Sequence, residues 1–199
     1  MVIRDYQASF DLLLRDTEAL LEYVEPTNDN LPTYSHRLYW LLLRTCTDFE
    51  SLAKDQLIAK GCPKSPEDMT VNDYKMLGTQ LRIEGAEVDF LLWQPEPRRV
   101  LPFKGWSVAK PVLPWYAAYN NVKHNRRTEF RRANLGVFVE ALAGQFVLIA
   151  RVTRVNPPDD WVSYCTQRDG KEECCRKPFR VRWDELGGSV VLRKAGAKE

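Results

Sequence analysis

Histidine is nearly absent from this sequence, with two among 199 residues, and cysteine is sparse at five. That cysteine number is odd, and the three late ones, Cys165 and the adjacent Cys174 and Cys175, do not have zinc-knuckle spacing, which wants paired C-x2–4-C or Cys/His ligands. No metal site and no disulfide are expected, and the thiols are read as reduced. Cys46, inside an apolar helical pattern, reads as a small core residue. The chain also has no Gly-rich phosphate loop, no H-E-x-x-H and no G-x-S-x-G elbow, which disfavours Walker-type nucleotide hydrolysis. No cofactor is implied. The longest apolar run, Val137 to Ala150, falls short of the roughly 20 residues that a spanning helix needs, and Glu140 and Gln145 interrupt it. No membrane span is expected. The opening MVIRDYQASF puts Asp5 where a leader would be apolar, with Asp11 close behind, so the protein is expected in the cytoplasm.

What remains is a globular composition, 44% hydrophobic and 28% charged. The net charge of +2 hides a lopsided distribution. Residues 1–103 hold 11 basic and 17 acidic side chains, a net −6, residues 104–154 hold 9 and 2, a net +7, and residues 155–199 hold 9 and 8, a net +1. A basic middle third fits an anionic partner, and it equally fits pairing with the acidic part of the same chain or of a second copy.

Hydrophobic spacing by threes and fours predicts a helix over 2–25 (Tyr6, Phe10, Leu13, Leu14, Leu20) and another over 34–60 (Leu38, Leu41, Leu42, Thr45, Phe49, Leu52, Ile58), joined as an antiparallel hairpin. Thr70 with Asp73 resembles a capping box opening a short helix to about Leu81. The proline-punctuated segment 88–103 reads as short strand or extended chain. Pro111 and Pro114 open a helix running from about Trp115 to Arg127. From about Thr128 a nearly all-round apolar helix follows, ended by Pro157 and Pro158. Beyond it WVSYC, PFRVRW and SVVLRK read as three short strands, and AGAKE as a frayed tail. The expectation is a mainly α protein: a bundle of about four to five helices over 1–154 with a small β-rich C-terminal appendage over 155–199.

One of the two histidines lies in the basic third, in WYAAYNNVKHNRRTEF, residues 115–130. On a helix Asn120 and His124 stand about 40° apart, with Arg127 beside them one turn on. An amide, a titratable imidazole and a guanidinium together are the parts of metal-independent phosphodiester cleavage: a proton-transfer group and a cation for developing charge. His36, at the start of the second helix, is a weaker candidate to join them. The bland alternative is that Asn120 and His124 bond to each other or to backbone, that Lys123, Arg126, Arg131 and Arg132 form a solvated face, and that Trp115, Tyr116 and Tyr119 pack with polar tips.

A helical chain with Asn-x3-His on a late helix, followed by a very apolar helix, resembles the HEPN superfamily, frequent in bacterial toxin–antitoxin and phage-defence systems. Its motif is Arg, a polar residue, a few others, then His. Asn120 and His124 fill the polar and His positions, and Tyr119 stands at the Arg position. The resemblance covers roughly residues 34–153. It implies a metal-independent ribonuclease acting as a homodimer, with RNA as substrate and a cognate antitoxin or neighbouring-gene protein as partner. Asn120 would then orient the imidazole, His124 would serve as general acid or base, and Arg127 would hold phosphate. Tyr119 would stack on a base or donate its hydroxyl, and Lys123, Arg126 and Arg131 would attract the RNA backbone.

Overall fold

The computed structural model describes residues 3–107, 113–153, 165–168, 171–176 and 179–183. The protein is mainly helical, with an antiparallel sheet. Among the described residues the helices are α1 (Ile3–Leu21), α2 (His36–Ala59), α3 (Val71–Leu81), α4 (Pro114–His124), the four-residue α5 (Arg126–Glu129) and α6 (Leu135–Thr153). The strands are β1 (Glu87–Phe90), β2 (Arg98–Val100), β3 (Cys165–Arg168), β4 (Lys171–Arg176) and β5 (Phe179–Trp183), in the order β2-β1-β5-β4-β3.

α1 and α2 lie antiparallel, as their cross-links show. Tyr6 donates to Asp55 at 2.7 Å and Ser9 to Asp48 at 2.6 Å, while Asp16 accepts from Arg37 at 2.5 Å and from Arg44 at 2.9 Å. Numbers rising along α1 meet numbers falling along α2. The predicted inner face of α2 is buried from Leu38 through Leu52, with Cys46 in its middle, but Ile58 is exposed at the helix end. The capping box at Thr70 is present, Asp73 accepting from the Thr70 N–H at 2.8 Å.

α6 is long and apolar enough, by length and composition, to cross a membrane, yet most of it is buried inside the fold, where its most extensive helix contact is with α2. It begins at Leu135 and not near Thr128: Phe130–Arg132 form a separate 3-10 turn, and Asn134 caps the new helix by accepting from the Val137 N–H at 3.0 Å. The chain before α2 is fastened to this cap. Leu135 N–H donates to the Thr33 carbonyl at 2.8 Å and Gly136 N–H to Leu31 at 3.0 Å, and Tyr34 bridges Asn134.

The extended pieces expected in 88–103 are β1 and β2, paired Val88 with Val100. PFRVRW supplies β5, whose Phe179 pairs with Phe90 of β1 and stacks on Phe146 of α6 at 5.2 Å. β4, KEECCR, is a strand that alternation did not reveal. Most of WVSYC, all of SVVLRK, the stop at Pro157 and Pro158, and the AGAKE tail lie outside the described residues.

α4 is plugged into this framework by Trp115. Its indole meets Phe49 edge-on at 5.2 Å, donates to the Pro102 carbonyl at 2.9 Å, and is fully buried. Trp115→Ala is expected to cost about 3–5 kcal/mol, the usual range for removing a core aromatic. Urea denaturation checks it: a midpoint that falls at unchanged slope supports the plug, and a loss under about 1 kcal/mol contradicts it.

Candidate functional site

α4 carries two polar faces with different fates. Its inner edge faces α2 across Glu50. Tyr116 donates to Glu50 Oε1 at 2.5 Å, Tyr119 donates to Oε2 at 3.3 Å, and Lys123 donates to the Tyr119 hydroxyl at 3.0 Å while its ammonium lies 5.0 Å from the centre of that ring. Tyr116 and Tyr119 are buried. Trp115, Tyr116 and Tyr119 thus pack as rings with hydrogen-bonded tips. Burial raises the pKa of both tyrosines, with the Glu50 hydrogen bond adding to it for Tyr116, and the contact with Tyr119 raises that of Lys123, so this is a neutral-phenol network with one fixed cation. Burial also pushes the neighbouring Cys46 thiol up, keeping it protonated and inert.

The base-stacking role expected of Tyr119 does not fit this placement. At 1% exposure its ring has no free face, because Lys123 lies over it and Tyr116 is edge-on at 5.6 Å.

The outer end of α4 is different. The expected helix through Arg127 stops at His124: Asn125 leaves helical geometry at φ −131° and ψ 49°, and α5 begins at Arg126. Asn120 and His124 still share a helix face, with Asn120 half-buried and His124 exposed, but Arg127 is across the break and is not their neighbour by helical spacing. Among the described residues the side chains of Asn120, His124 and Arg127 have no hydrogen-bond or ion-pair partner, so the mutual or backbone bonds that a purely structural role would use are not made there.

Arg126 is held differently. It donates to His36 Nδ1 at 3.1 Å, and its guanidinium lies 4.7 Å over the Tyr39 ring and 5.7 Å over that of Phe130. The bond requires Nδ1 to be the unprotonated nitrogen of His36. Thus His36 is joined to Arg126 and not to His124. Arg131 covers Tyr34 at 5.6 Å, and Tyr34 and Phe130 meet edge to face at 5.8 Å. Beside them Trp40 touches Tyr39 at 5.2 Å and is 59% exposed. Tyr34, Tyr39 and Trp40 were not singled out from sequence, although TYSHRLYW packs four rings into eight residues.

The ion pairs decide where the charge goes. Asp16 takes Arg37 and Arg44, Asp73 takes Lys64, and Arg99 lies between Glu87 and Asp89, all within the acidic first part of the chain. Arg132 takes Glu129 inside the basic part. Among the described residues Arg126, Arg127 and Arg131 meet no carboxylate, and they are exposed. An unneutralised cationic corner stands at the junction of α4, α5 and the start of α2. The described residues contain no group of three His, Cys, Asp or Glu side chains arranged to hold a metal.

Comparison of the chain with protein-family models, with curated proteins and with solved structures found no match.

The Glu50 network makes two expectations. Tyr116→Phe removes one charge-assisted bond and should lower stability by about 1.5–3 kcal/mol. Because folding raises the tyrosine pKa values above their ordinary 10, the stabilisation is complete below pH 10 and is lost as pH climbs beyond it. The folded protein should therefore weaken by about 1.4 kcal/mol per pH unit for each buried phenol, read as a falling urea midpoint between pH 9 and 11.5. A flat profile would show that these phenols ionise without leaving the fold.

Proposed function

We propose that this chain is a HEPN-like, metal-independent endoribonuclease of bacterial defence or toxin–antitoxin type, cytoplasmic and homodimeric, in which the long helices form the family's bundle and the strands extend it. The observation that carries the proposal is the exposed corner at the end of α4, where, among the described residues, His124 and Arg127 have no hydrogen-bond or ion-pair partner and Arg126 and Arg131 meet no carboxylate.

In such a reaction the ribose 2′-hydroxyl is an internal nucleophile, already beside its phosphorus, so the protein need only move protons and spread charge. His124 takes the 2′ proton as the oxygen attacks phosphorus, the 5′ oxygen of the next nucleotide leaves and is protonated, and a cyclic phosphate remains. Arg127 would offset the extra negative charge on the phosphoryl oxygens. Asn120, one turn back on the same face, would orient the imidazole. Lys123, Arg126 and Arg131 would contribute sequence-independent attraction to phosphates. Tyr119, locked on Glu50, cannot take the role of the family arginine, which leaves Arg127, or an arginine from the second protomer, to supply the cation.

That same Tyr119 favours a second reading: a non-catalytic helical module for dimerisation or for a neighbouring-gene partner such as an antitoxin. The two separate at His124. If it is catalytic, His124→Ala abolishes cleavage of a mixed RNA pool in EDTA and, being an exposed substitution, shifts stability by no more than about 0.5 kcal/mol. If the corner is not catalytic, no cleavage is seen with either protein, and stability again moves little, because the exposed His124 side chain has no hydrogen bond to lose among the described residues. Cleavage that survives in His124→Ala overturns the catalytic assignment.

A further inference from the structure

We infer that the surface formed by Trp40, Tyr34, Arg126 and Arg131 is a stacking platform for single-stranded RNA, next to the His124 corner. It rests on the proposal that RNA is the ligand, and it adds where and in which form the RNA is held.

Three observations converge on it. The rings are continuous: Trp40 touches Tyr39, Tyr39 is 5.7 Å from Phe130, and Phe130 is 5.8 Å from Tyr34. The outer members are open, Trp40 at 59% exposure and Tyr34 at 41%, while Tyr39 is buried and anchors the row. The cations are interleaved, Arg126 over Tyr39 and Phe130 and Arg131 over Tyr34, and neither meets a carboxylate among the described residues.

A single exposed aromatic ring needs no explanation. A connected row that alternates with guanidiniums meeting no carboxylate among the described residues does, because it offers ring faces to bases and phosphate-seeking charge to a backbone on one surface. The platform is also held rigid, so little order has to be gained on binding: the chain before α2 is hydrogen-bonded to the first turn of α6, and His36 fixes Arg126. Stacking on Trp40 needs a base whose face is free, which a duplex does not offer. Single strands are therefore selected over duplexes. A duplex would engage only the arginines.

The test is fluorescence anisotropy of a labelled 12-nucleotide RNA of mixed sequence, alone or annealed to its complement, titrated with the full chain carrying His124→Ala so that nothing is cut. The single strand should bind more tightly than the duplex. Adding Trp40→Ala should weaken single-strand binding roughly 5- to 150-fold and leave duplex binding nearly unchanged, as expected for loss of one stacked base. Trp40→Phe should restore most of the loss. Arg131→Gln should lower the slope of log affinity against log salt by about one for both ligands.

Equal affinity for the two RNA forms, or a Trp40→Ala protein that binds the single strand like its parent, overturns the platform, and cleavage by the wild-type chain would then still support the ribonuclease. Trp40-dependent binding without cleavage supports the platform and removes the catalytic role. No binding of either RNA overturns both.

Discussion

The docking of α4 onto α2 through the consecutive residues Phe49 and Glu50 is the contact on which the rest depends. Phe49 points inward and receives the edge of Trp115, and Glu50, one step round the helix, accepts from Tyr116 and Tyr119. One pair is apolar and the other charge-assisted, so together they fix both the depth and the rotation of α4. Without the rotation, Asn120 and His124 would have no defined outward face. The same contact sets where α4 ends, since its last buried residue is Val122 and residues 123–128 are exposed. The helix breaks where its burial runs out, and the exposed corner is the consequence.

Tyr119 shows what the packing around Glu50 allows at this position. An arginine at that position would have to bring a guanidinium beside Glu50, where it would be neutralised and unavailable to phosphate. The tyrosine instead shares Glu50 with Tyr116 and receives Lys123 on its hydroxyl, while beyond the break Arg126, Arg127 and Arg131 meet no carboxylate among the described residues. Tyr119 is a link of the core and supplies no charge there. Within this chain, phosphate chemistry at this corner would draw its cations from α5 and the 3-10 turn that follows it.

The helices were legible because burial is periodic. Leu38, Leu41, Leu42, Thr45, Phe49 and Leu52 recur at helical spacing, and the same spacing puts them on the buried face. The break at Asn125 was not legible, because no proline or glycine marks it and Asn-Arg-Arg is compatible with a continuing helix; tertiary exposure decided it. The aromatic row was hidden for a related reason. Phe130 fits the apolar period of the helix after it, and Tyr34 and Trp40 belong to different turns of chain, so only the fastening of residues 31–34 to the cap of α6 brings them to one surface. β4 was missed because KEECCR has charge where a strand signal wants branched or aromatic residues; it is a strand because β5 beside it is anchored by Phe179.

The lopsided charge can now be followed through the fold. From sequence, the basic third had outlets of equal standing, an outside anion or the acids of this chain or of a second copy. The carboxylates at Asp16, Asp73, Glu87 and Asp89 are taken by Arg37, Arg44, Lys64 and Arg99, cations of the same acidic segment, so those acids cannot also serve the basic segment. Among the described residues Arg126 and Arg131 meet ring faces and no carboxylate, and a ring's quadrupole favours a cation without cancelling its charge. A guanidinium held in that way keeps nearly its full charge for a ligand while losing its freedom to reorient. Preorganised positive charge beside exposed rings is hard to account for by internal stability alone, since the same rings would be steadier covered. On the proposed function, a ligand that brings both negative charge and flat faces would meet both at this surface.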